Sequence, residues 1–227
     1  MHEIFYRNRL PHIAPIGATF FVTFRLDDAL PRHIVKALKA NFDAEIEQIK
    51  KANPKDLKLC ILDARKKYFG KYEHQLDRQP YGACHLKKTE VAQIVLDKMK
   101  EYDGSLYDLQ AACIMPNHVH AMFSLDQQLK DPNQNWTDET PEDYVQLDAV
   151  MQLIKGGSSF LINRHLGRSG KLWCKDSYDH YVRDEREWHN ILGYILNNPV
   201  KAGLVKEWNE WSNLYLKPSL VRLLSGS

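Results

Sequence analysis

A chain of 227 residues, 44% of them apolar, can bury a sizeable core as one large domain or two small ones. Its formal net charge of +2 does not announce a nucleic-acid binder. The four cysteines are far apart with no CxxC pair, which argues against a Cys-rich zinc site. With no N-terminal signal pattern and no apolar run near ~20 residues, the expectation is a soluble protein of a reducing cytosol, its thiols buried as small hydrophobes.

The charge is uneven along the chain. Residues 155–175 carry Lys155, Arg164, Arg168, Lys171 and Lys175 and no acid, a local +5. Residues 126–148 carry seven acids against Lys130, a local −6. A basic stretch of this kind is either a phosphate footprint or a solvated helix face with its loop.

Arg7, Arg9 and His12 near the start can reach into a nucleic-acid groove or belong to a frayed end. Ala18 to Leu26 alternates small and large apolar residues against Thr19, Phe21, Thr23 and Arg25, which predicts a first strand. Pro31 opens a helix running to about Lys51, stopped by Asn53-Pro54. Residues 55–85 predict a short helix near Leu59 to Phe69 and then a polar loop. Thr89 is the expected N-cap of an amphipathic helix to Tyr102. Tyr107 to Met115 and residues 118–125 read as adjacent antiparallel strands joined at Pro116-Asn117. The acidic run 126–142 is expected as loop. Tyr144 to Ile154 is helical, and Gly156-Gly157-Ser158-Ser159 is expected to interrupt the pattern before Phe160 to His165. Tyr178 to Arg183 reads as a strand. Asp184, with Glu187 three residues on, caps a last helix. This order is α+β, one antiparallel sheet backed by helices, with no internal repeat.

Within it, His118-Val119-His120 is the most informative feature. Side chains on a strand alternate, so the two imidazoles share one face while Val119, Ala121, Phe123 and Leu125 line the other. That is a core-packed strand carrying two potential ligands for a divalent cation, placed for chemistry on a phosphate or a carbonyl.

On the last helix, Trp188, Ile191, Leu192 and Ile195 form the buried stripe, and Tyr194 lies on a polar flank with Glu187, Asn190 and Asn198. Tyr194 and Asn198 are one turn apart on one face. Such a tyrosine either presents its hydroxyl to a ligand or is an amphipathic surface residue with its ring half packed. Pro199 biases Asn198 away from helical geometry.

Taken together, IMPNHVHAMFSL (114–125) and YILNNPVKAGLV (194–205) resemble the two signatures of the HUH single-tyrosine transposases. The opening RNRLPHIAPIGATFFVTFRL and the stretch from Lys155-Gly156 through Gly170-Lys171-Leu172-Trp173 to Tyr178-Asp179 resemble one branch, the REP-associated tyrosine transposases. The likeness spans about residues 6–206. It implies a ferredoxin-like α+β palm over residues 1–206, with a helical insertion at about 50–88, the acidic loop 126–142, and a C-terminal tail at 207–227. It further implies metal ligation of Mg²⁺ or Mn²⁺ by His118 and His120, a nucleophilic Tyr194, and Asn198 at the third-ligand position, where many insertion-sequence members have Gln.

The activity so implied is nicking and joining of single-stranded, hairpin-forming DNA through a 5′-phosphotyrosine. Tyrosine, with a pKa near ~10, needs a cation or neighbouring charge to ionise at neutral pH, and a divalent ion also polarises the phosphate. Lys155, Arg164, Arg168 and Lys171 are the candidate phosphate contacts. Tyr178 and Tyr181 are expected to pack, and His180 to lie on the strand surface or behind the ligands rather than to be a ligand. Trp173 stacks on a base or fills core. Such a protein works in the cytoplasm at the nucleoid, without a membrane, as a monomer or homodimer. The alternatives are a catalytically silent hairpin-binding protein and a metal hydrolase unrelated to DNA.

Overall fold

The computed structural model describes residues 5–8, 10–13, 15–78, 81–129 and 141–225. Two short strands, β1 (Phe5–Asn8) and β2 (Leu10–Ile13), pair with each other. The expectation for Arg7, Arg9 and His12 falls outside the described side chains. The main sheet is built from β3 (Thr19–Arg25), β4 (Asp108–Ile114), β5 (His118–Ser124), β6 (Tyr178–Tyr181) and β7 (Leu214–Leu216). Its order is β6-β3-β5-β4-β7, and every neighbouring pair is antiparallel. This is the expected α+β architecture, one antiparallel sheet backed by helices.

The period-two pattern of β3 and β5 splits the interior in two. Phe20, Val22, Phe24, Val119, Ala121 and Phe123 face one side and pack against α3 (Thr89–Lys100) and α4 (Leu147–His165). Each Val or Phe so buried contributes about 1.5–3 kcal/mol. Phe21, Met122, Ala111 and Cys113 face the other side, under α5 (Glu185–Lys201). The histidines of β5 share that second side, so α5 packs over the face that carries them.

Between β3 and α3 stand α1 (Arg32–Ala52) and α2 (Leu57–Arg78), packed on each other, α2 falling in the span 50–88 expected as a helical insertion. Here the polar loop expected after Phe69 is instead helix: α2 runs on for two more turns because Tyr72, Leu76 and Phe69 keep a buried stripe at three- and four-residue spacing. The Gly156-Gly157-Ser158-Ser159 run also fails to break α4. Gly157 sits where α3 crosses, its missing Cβ filled by the Lys98 side chain, and Ser158 is buried between the Ile154 carbonyl and the Trp173 indole. Thr89 is the first residue of α3 rather than its cap. Asp184 does cap α5, its carboxylate accepting the Glu187 N–H at 2.8 Å. That helix continues through Pro199 to Lys201, so Asn198 keeps helical geometry.

Most of the acidic run 126–142 lies outside the described residues; Asp126–Gln128 form one 3₁₀ turn. The segment 207–225 supplies β7 beside β4, a half-buried Trp208, and Trp211, whose indole donates to the Ile114 carbonyl at 3.2 Å. No helix among the described residues is long and apolar enough to cross a membrane.

Candidate metal and tyrosine centre

The two imidazoles on β5 are almost wholly buried, with His118 1% and His120 0% exposed. Each is aimed from behind. His118 Nδ1 donates to Asn117 Oδ1 at 2.7 Å, and His120 Nδ1 stands 2.8 Å from Thr23 Oγ1 on β3. Those bonds leave both Nε2 atoms pointing at one place, 3.0 Å apart. A bond from the far ring nitrogen is the usual device for orienting a metal-binding histidine. Burial drives the pKa of His118 down to about 3 and that of His120 well below the ordinary imidazole value, so both lone pairs are available at neutral pH.

The third member comes from α2. Glu73 is 4% exposed, and its Oε2 lies 3.2 Å from His120 Nε2. Glu73, His118 and His120 form a buried group able to hold a metal ion. Asp77, one turn further along α2, reaches within 3.7 Å of His118 Nε2. Burial, assisted by Asp77, lifts the Glu73 pKa to about 8 although the Tyr194 hydrogen bond opposes the shift; burial likewise lifts Asp77 to about 6.

Tyr194 enters from α5. Its hydroxyl donates to Glu73 Oε2, and its ring meets the edge of His120 with centroids 5.3 Å apart. Phe21 packs against both rings. Burial, then the Glu73 charge, pushes the phenol pKa up, with the Asn198 amide beside it opposing. Lys201 lies 5.7 Å from the Tyr194 ring centre and brings an exposed positive charge to the same mouth.

The donor set suits a divalent cation. Two neutral imidazole nitrogens and a carboxylate are the ligand types of catalytic rather than structural centres. Several polar atoms here are also buried without a hydrogen-bond partner: Glu73 Oε1, Asp77 Oδ1, and both amide atoms of Asn198, which is 0% exposed. Orphaned groups of this kind carry a cost that a bound ion or phosphate would remove.

The structure therefore brings together His118, His120, Tyr194 and Asn198. It does not bring the four basic candidates to them. Lys155 donates to the Lys175 carbonyl and the Ser177 hydroxyl. Arg168 is tied to Asn163 and the Lys171 carbonyl, and Lys171 pairs with Asp27 at 2.5 Å. Arg164 lies over the exposed Phe160 ring. Tyr178 stacks on Phe69, His180 binds Glu187, and Trp173 fills core against Phe24. The sequence reading missed Glu73, Asp77 and Lys201. The signal for the first two was present: both acids fall on the α2 face that also carries Phe69 and Leu76.

No family model matches the chain. It is 30% identical over 105 residues to a Haemophilus influenzae protein named "Putative REP-associated tyrosine transposase", a match covering 46% of this chain and 56% of that protein. A second Haemophilus influenzae protein, of uncharacterised function, is 27% identical over 93 residues, or 38% and 51% of the two chains. Among solved structures, a REP-associated tyrosine transposase bound to a REP hairpin shares the fold, with a TM-score of 0.50 over 96% of this chain and 88% of that one, at 14% identity. The chain is thus similar in sequence, over part of its length, to a protein named as a putative REP-associated tyrosine transposase, and similar in fold to a solved one. It spans about half the length of the curated relatives it matches.

Proposed function

We propose that the chain is a single-stranded DNA nicking and joining enzyme acting on hairpin DNA, with Tyr194 as nucleophile and a divalent cation, Mg²⁺ or Mn²⁺, held by His118, His120 and Glu73. One observation carries this reading. A single buried carboxylate, Glu73, touches both the Tyr194 hydroxyl and His120, whose Nε2 lies 3.0 Å from that of His118, so nucleophile and ligand set share one site. The relative's name and the hairpin held by the solved structure of similar fold support the substrate class.

The residues divide the work as follows. Tyr194 Oη forms the bond to phosphorus as the bond to the 3′ oxygen breaks, giving a 5′-phosphotyrosine; the leaving oxygen takes a proton from water and becomes a 3′-hydroxyl. The phenol proton passes along the existing hydrogen bond to Glu73 Oε2. Lys201 offsets the phosphate charge at the mouth of the site. Asn198, with both amide atoms free, is placed to bond the phosphate or complete the ligand set. The cation, when bound, would polarise a non-bridging phosphate oxygen and lower the barrier by several kcal/mol. The phosphotyrosine conserves the bond energy, so a 3′-hydroxyl can reseal it. Tyr194 packs on His120 of its own chain, so this reading takes the nucleophile from the same subunit as the ligands.

The test is incubation with a hairpin oligonucleotide carrying single-stranded flanks and Mn²⁺, followed by a denaturing gel. The expected result is a covalent adduct that is absent in Tyr194→Phe. An adduct that persists in that variant contradicts the assignment. Tight, salt-sensitive, metal-independent binding with no adduct would instead favour a silent hairpin-binding protein.

A further inference from the structure

Beside α2 lies a cavity of about 500 Å³, within the size range of small-ligand sites. Its origin is a mismatch at the sheet edge. Leu26 bridges to Trp173 and Thr23 pairs with Tyr178, so two residues of β3 face four of the segment 174–177. The surplus residues line the cavity together with residues of α1, α2 and α4.

The lining has a definite chemistry. Tyr68 and Tyr72 form an aromatic wall, their ring centres 6.0 Å apart. Arg25, only 7% exposed, and the largely enclosed Lys155 bring two cations inside. Both are bonded to neutral acceptors: Arg25 to the Tyr72 hydroxyl oxygen and the Leu26 and Asp27 carbonyls, Lys155 to the Lys175 carbonyl and the Ser177 hydroxyl. Asp148, Asp176 and Asp179 also line the space, as do Lys175 and Lys39, the latter paired with Asp43. Enclosed cations bonded to neutral groups beside aromatic faces suit a ligand that is planar at one end and anionic at the other. The cavity also adjoins the metal and tyrosine centre, since Thr23 both lines it and bonds His120.

We propose that this cavity is a nucleotide site, taking one unstacked base against Tyr68 and Tyr72 and its phosphate toward Lys155 and Arg25. That the nucleotide belongs to the DNA strand being cut rests on the nuclease reading above; the nucleotide chemistry itself does not. A base held here would fix the register of the strand at Tyr194, which gives the helical insertion a role in substrate choice.

Two titrations of the full chain test this. In one, a hairpin oligonucleotide carries 2-aminopurine at one flanking position at a time, a probe whose fluorescence falls on stacking. In the other, free deoxyribonucleoside monophosphates are added. One flanking position should be quenched by the wild type and by Tyr68→Phe, and not by Tyr68→Leu. Tyr68→Leu and Lys155→Met should each weaken hairpin binding about tenfold. Making that position abasic should weaken the wild type about tenfold and Tyr68→Leu hardly further. Mononucleotide binding that is lost in Lys155→Met supports the site even if no hairpin binds, an outcome that would sink the nuclease reading alone. The proposal is overturned if the quenching pattern survives Tyr68→Leu, or if no position is quenched and no mononucleotide binds.

Discussion

Thr23 and Glu73 do the least conspicuous work at the centre, and each gives a measurable consequence. Thr23 fixes the His120 ring through Nδ1, so Thr23→Val leaves the ligand present and its aim loosened. Removing such an outer bond commonly weakens metal binding about 10–100-fold. A calorimetric Mn²⁺ titration should show that loss, and unchanged affinity would contradict the assignment. Glu73 has a raised pKa of about 8 in the folded chain, against 4.5 ordinarily. Between those values the metal-free folded state holds a proton that the unfolded state has lost, so stability falls as pH rises. Only above about pH 7.5, a unit past the ordinary imidazole value, are the two histidines neutral in both states, which leaves Glu73 dominant among the groups of this centre from there to about pH 8. Metal-free wild type should lose up to about 1.4 kcal/mol per pH unit there, and Glu73→Gln should abolish that slope in urea unfolding. The histidines were legible in the sequence because a strand's alternation puts both on one face. Glu73 was not, because its meaning depends on where α2 lies in space.

Helix α2 is the element on which the site and the adjoining cavity both depend, since it offers Glu73 to one and Tyr68 and Tyr72 to the other. Gly70 lies in its interior with open space where a Cβ would stand and no positive φ. Gly70→Ala should therefore stabilise the chain by about 0.5–1 kcal/mol, raising Tm by about 2–3 °C. A fall in Tm would mean that the helix bends at this residue. Extrapolation from sequence failed at this scale for an identifiable reason. A polar run such as Lys71 to Arg78 reads as loop until its buried stripe is known to meet the sheet. The glycines of α4 likewise read as a break until α3 is known to cross there. Where side-chain character alternates along an extended segment, as on β3 and β5, the strands were legible even though both of their faces are buried.

At the scale of the whole molecule, the order of strands and helices was enough to indicate one antiparallel sheet with helical layers, and it holds. The contribution of residues 207–225 was not visible, because three residues of β7 carry too short a pattern. Yet Trp211 caps the Ile114 carbonyl, Asn213 receives the Ile114 N–H, and Lys217 pairs with Asp108. Ending the chain at 206 would uncover the β4 edge and the apolar side under α5. Such a chain should lose about 3 kcal/mol or more and aggregate on heating, whereas an unchanged Tm would make that segment dispensable. For the proposed reaction, the phenol of α5, the carboxylate of α2 and the imidazoles of β5 must act as one centre. Peptide mapping by mass spectrometry of the covalent product formed with a hairpin oligonucleotide and Mn²⁺ tests this most directly. The nucleotide mass should sit on Tyr194 and vanish in His120→Ala; nucleotide mass on Tyr178 or Tyr181, or on no tyrosine at all, would contradict it.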